Sequence, residues 1–67
     1  MKFIKVNVHD GSGEGLPMLI RISSIQDVSA DEQDKNNSII IRKNENIEVM
    51  DSVDQIYELI ANAKGAK

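Results

Sequence analysis

Ile47-Glu48-Val49-Met50-Asp51-Ser52-Val53-Asp54-Gln55-Ile56-Tyr57-Glu58-Leu59-Ile60 changes its apolar spacing part-way along. Ile47 and Val49 are two residues apart, as on one face of a strand. Val53, Ile56, Tyr57 and Ile60 are separated by steps of three and four, as on one side of a helix. The change falls at Asp51-Ser52, where a helix needs a cap. Ser52 with Gln55 three residues on fits a capping box, and Asp51 and Asp54 suit the positive end of the helix dipole. This stretch predicts a strand feeding directly into an amphipathic C-terminal helix. The helix starts at Asp51 or Ser52 and ends near Lys64-Gly65, where glycine and the terminal lysines Lys64 and Lys67 fit a C-terminal end.

Upstream, Ile4, Val6 and Val8 alternate with Lys5, Asn7 and His9 as a half-buried strand. Asp10-Gly11-Ser12-Gly13-Glu14-Gly15 is a flexible hairpin connection. Leu16, Met18, Ile20 and Ile22 form a second alternating run, in which Pro17, lacking an amide donor, belongs at the strand's beginning or on an edge. Ser23-Ser24 bends the chain before a third strand around Ile25 to Ala30, where the three-residue step from Ile25 to Val28 predicts a bulge or single turn. Asp31 to Asn37 has no apolar residue and reads as a solvated loop. Ser38 to Lys43 is a β-branched strand turned by Asn44-Glu45-Asn46 into Ile47 to Met50. The fold class expected is α+β: a four- to five-stranded, mostly antiparallel sheet with one C-terminal helix packed on one face.

The chain of 67 residues makes one domain, 1–67, and a domain of this size buries only roughly 60% of its unfolded surface. Without cysteine, no disulfide or thiolate metal site adds to that, which leaves a very regular core or self-association. The net charge of −3 and pI near 4.9 argue against general attraction to nucleic acid or anionic lipid. No apolar run approaches the ~18 residues of a membrane span. The start, Met1-Lys2-Phe3-Ile4-Lys5, lacks the apolar core of a signal peptide, so the cytoplasm is the expected location.

Parity divides the sheet into two faces. Ile4, Val6, Val8, Met18, Ile20, Ile22, Ile39, Ile41, Ile47 and Val49 are expected in the core, beneath Val53, Ile56, Tyr57, Ile60 and Ala63 of the helix. The reverse face then carries Phe3, Leu19, Ile40 and Met50 beside Lys5, Arg21, Arg42 and Glu48. Four large apolar side chains on a nominally wet face mark a subunit interface, which Leu59 could extend from the edge of the helix stripe. The expectation is a symmetric homo-oligomer, most simply a dimer, that glutamate at Leu19 and Ile40 would dissociate. The other explanation for such residues is scattered exposure or cover by loops.

Candidates for chemistry are few. His9-Asp10 has no identifiable nucleophile or oxyanion site beside it. The glycine run lacks the Walker lysine and leads into a strand carrying Pro17. Asp27, Asp31, Glu32 and Asp34 lack calcium-loop spacing. The alternative function is nucleic-acid or anionic-ligand binding through Lys5, Arg21 and Arg42, with Phe3 as a ring to stack on. No catalytic residue, cofactor or metal is expected.

Ile22-Ser23-Ser24-Ile25-Gln26-Asp27-Val28, Ser38 to Arg42, and Ile47 to Ile56 together resemble the small flagellar FlbD-like (SwrD-like) proteins. The last segment is the most similar, and resembles their V-x-E-S-V-D-E-V strand-to-helix junction. The family's compact L-N-G turn is replaced by the longer His9 to Gly15 segment, and the glycine of its second hairpin by Asn44-Glu45-Asn46. Similar layouts also occur in other small bacterial and phage-type proteins. The resemblance implies a bacterial cytosolic accessory protein, and it brings no catalytic residue. The flagellar motor role is that family's own and is not carried over. The function expected is thus a non-catalytic accessory or protein-interaction module acting as a homo-oligomer, its partner itself or another protein.

Overall fold

The computed structural model describes residues 2–65, so Met1, Ala66 and Lys67, with the expected role of Lys67 at the helix end, lie outside the described residues. Five strands, a 3-10 turn and one helix follow each other in the order β1 (Phe3–Val8), β2 (Leu16–Arg21), the turn Ile22–Ser24, β3 (Ile25–Ala30), β4 (Ser38–Arg42), β5 (Asn46–Val49) and α1 (Val53–Gly65). The sheet is antiparallel throughout, with strand order β2-β1-β5-β4-β3. This is the α+β class that the periodicities predict.

The sheet cannot be flat. Its outermost strands, β2 and β3, are joined directly by the three-residue turn Ile22–Ser24. Four strand spacings would separate them by about 19 Å on the flat, while four peptide steps reach at most about 14 Å. The sheet therefore coils and stays open between its edges. Pairing between β1 and β5 is confined to Val8↔Val49, flanked by His9 N–H donating to Glu48 C=O (2.9 Å) and Met50 N–H to Asn7 C=O (2.7 Å). Before that point β1 turns its second edge from β5 towards the strand-to-helix junction, where Asn7 N–H donates to Asp51 Oδ2 at 2.8 Å. The helix packs chiefly on β1, with a smaller contact to β3.

The junction is built as its residues suggest. Ser52 N–H donates to Gln55 Oε1 (2.8 Å) and Gln55 N–H to Ser52 Oγ (3.1 Å), a reciprocal capping box. At the far end, Lys2 Nζ donates to the Ala63 carbonyl (2.8 Å), placing a cation at the negative helix terminus. Ser52→Ala removes one half of the box, and the expected cost is about 1 kcal/mol, read as a lower urea midpoint with unchanged slope. The step from Ile25 to Val28 holds the bulge expected of it, as a register shift between Ile25 and Asp27, and the 3-10 turn Ile22–Ser24 before it supplies the bend expected at Ser23-Ser24.

Ile4, Val6, Ile20, Ile40, Ile47, Val49 and Ile56 form the buried core. Ile40 corrects the frame expected of β4. It is 0% exposed and pairs with Ile47, whereas Ile39 and Ile41 pair with Glu48 and Asn46 on the reverse face and are half-buried. Cross-strand partners share a face, so the register alone fixes this inversion. Ile40 therefore belongs to no surface, and glutamate there attacks the core and not an interface. Tyr57 is corrected too: it is 71% exposed, because the buried stripe runs through Ile56 and a neighbouring residue points about 100° away. Met18 holds the expected face, opposite Val6, but at the sheet margin it is 41% exposed.

Candidate functional site

The apolar residues expected to form one interface are separated by the fold. Phe3 and Leu19 stay together on the reverse face of the β1–β2 hairpin, where Phe3 pairs with Arg21 and Leu19 with Lys5. Ile40 lies in the core, and Leu59 packs against that core as a partly buried residue. Met50 is half-buried, and its sulfur closes over Gly15, within 2.8 Å of where a β-carbon on that glycine would sit. Gly15 has φ +78, a conformation that costs a residue with a β-carbon about 1–2 kcal/mol. The last glycine of the hairpin connection is therefore fixed by both backbone and packing.

Two residues missed by the parity argument belong to the exposed apolar surface. Leu16 and Met18 lie on the helix side of the sheet, yet Leu16 is 57% and Met18 41% exposed, because α1 packs over β1 and β3. With Leu19 at 66%, the edge strand β2 shows apolar side chains on both faces. The available signal was Pro17, which marks β2 as an edge, and among the described residues no further strand covers it.

The three candidate cations do not converge. Arg21 stands over the Phe3 ring with its guanidinium carbon 6.0 Å from the centroid, at the outer limit of a cation–π contact. Lys5 lines a cleft with Asp51, Gln55, Glu58, Leu59 and Asn62 of the junction and helix. Arg42 pairs with Glu45 at 3.7 Å beside the β4–β5 turn. The cations that do share a cleft, of about 390 Å³, are Lys2, Arg21 and Lys64, around Ile22, Ser23 and Ile25. The Lys2 ammonium there is already bound to the carbonyl of Ala63.

The polar loops spend their groups on themselves. Asp10 Oδ1 accepts from Ser12 Oγ (2.6 Å) and Ser12 N–H (2.9 Å); these two bonds, the side-chain one foremost, hold its carboxyl below the ordinary aspartate range. The glycine-run amide of Ser12 thus faces a carboxylate and not an anion site. His9 Nδ1 accepts from Gly11 N–H at 3.3 Å. Asp31 and Asp34 each accept from the backbone two residues on, at Gln33 and Asn36, the turn-forming use of aspartate. Among the described residues no three His, Asp or Glu side chains are placed to share a metal ion, and no helix is long and apolar enough to cross a membrane. No family model, curated protein or solved structure matches the chain.

Proposed function

We propose that this chain is a non-catalytic accessory module that works through protein contacts, in the first place with a second copy of itself, in the cytoplasm. The observation that carries the reading is the exposure of Leu16, Met18 and Leu19 on one edge strand, with Phe3 on Leu19's face at 44%. Scattered surface leucines need no explanation, but apolar side chains gathered on both faces of one strand whose outer edge is unpaired are a docking surface or an aggregation hazard. A core of seven residues also leaves a small domain with stability to gain from association. The resemblance to FlbD-like proteins supports a bacterial accessory role for such a module. Sedimentation equilibrium over micromolar concentrations tests the reading: a reversible dimer is expected, and a monomer at every concentration overturns it.

A further inference from the structure

We infer that the second copy docks along the free edge of β2, as an antiparallel β2–β2 pair whose two-fold axis passes through Leu19; this rests on the self-association proposed above. Ile22 N–H donates to Lys2 C=O at 3.0 Å. By the alternation of an antiparallel ladder, Leu16, Met18 and Ile20 then face β1 with their backbone groups, while Pro17, Leu19 and Arg21 direct theirs outward. That outward row has two gaps. Pro17 has no N–H, and the Arg21 carbonyl already accepts from Ser24 Oγ at 2.7 Å.

Rotation about Leu19 sets Leu19 against Leu19 and Pro17 against Arg21 of the other copy. The two Leu19 residues exchange both backbone bonds, and each Arg21 N–H meets a Pro17 carbonyl. The one absent donor falls opposite the one acceptor that is engaged within its own chain. A slipped register would set Pro17 opposite a carbonyl still in need of a donor, so the proline selects the register while leaving the edge usable. Side chains follow the same pairing: Met18 beside Ile20 of the second copy, Leu16 beside Ile22, Leu19 beside Leu19. These contacts cover the three exposed apolar residues of the strand, and Arg21 faces proline, not a like charge. The opposite edge offers no such match, since β3 carries Asp27 and runs into Asp31 and Glu32, carboxylates that keep a second strand away.

The chain has no cysteine, so Leu19→Cys supplies a single thiol. In the inferred pair the two α-carbons at this position stand about 5.5 Å apart, within disulfide reach. Mild oxidation should convert Leu19→Cys to a covalent dimer, and should not convert Glu58→Cys, a variant at an exposed helix position. Leu19→Lys should retain the circular dichroism of the native chain and weaken dimerisation about tenfold or more. A dimeric native chain that neither cross-links through position 19 nor responds to lysine there would overturn the edge pairing and leave self-association standing. A native chain that is monomeric throughout removes both.

Discussion

Ile40→Ala is expected to lower stability by about 2–5 kcal/mol, the range for truncating a fully buried isoleucine. A domain of this length holds roughly 3–10 kcal/mol in total, so a large share of its stability rests on this one side chain. Ile40 is wholly buried and sits between Ile47 on β5 and Val28 on β3. No neighbouring loop is placed to fill the space, because the strands on both sides are fixed by the ladder. Ile39→Ala is the matched control. Half-buried on the reverse face beneath the β3–β4 loop, it loses about half of a full burial, about 1 kcal/mol. Urea titration of both variants separates the two frames: near-equal losses, or a larger loss at Ile39, would reverse the facing of β4.

That strand is also where the sequence is least legible, for a reason visible in its residues. Ser38-Ile39-Ile40-Ile41-Arg42 has no alternation to read, so its facing is decided by the length of the turn to β5. Arg42 N–H donates to Glu45 C=O at 2.9 Å and Ile41 pairs with Asn46; one residue more or fewer in that turn would exchange the faces. Strands β1 and β2 are legible because Lys5, Asn7 and Arg21 punctuate them with polar residues. The capping box is legible because it is local, needing only Ser52 and Gln55. Exposure is less so. Tyr57 and Met18 both satisfy the apolar pattern, but their cover depends on where α1 lies on a coiled sheet, which no periodicity within one element encodes. The apolar edge of β2 was half visible, through Leu19, and the rest follows from strand order.

Ser38→Ala carries the second large effect, about 1–3 kcal/mol, although only a hydroxyl is removed. Ser38 is 0% exposed, and its Oγ donates to the Asp51 carbonyl at 2.6 Å. Taking away the donor leaves that acceptor to be desolvated without this partner, which costs more than the bond itself is worth. The bond matters for its position. Asp51 follows β5 and precedes the capping residue, and its carboxylate accepts the Asn7 N–H where β1 has left β5. One residue thus ties β4 through its backbone and β1 through its side chain, at the point from which α1 departs. Losses at the two ties should be coupled: Ser38→Ala combined with Asp51→Ala should cost less than the sum of the two, since either change releases the same junction. Asp51→Asn, which keeps an acceptor for Asn7, should recover much of the Asp51→Ala loss. Strict additivity in the urea midpoints would mean that β1 and β4 are held independently, and that Asp51 serves α1 only as the residue before its cap.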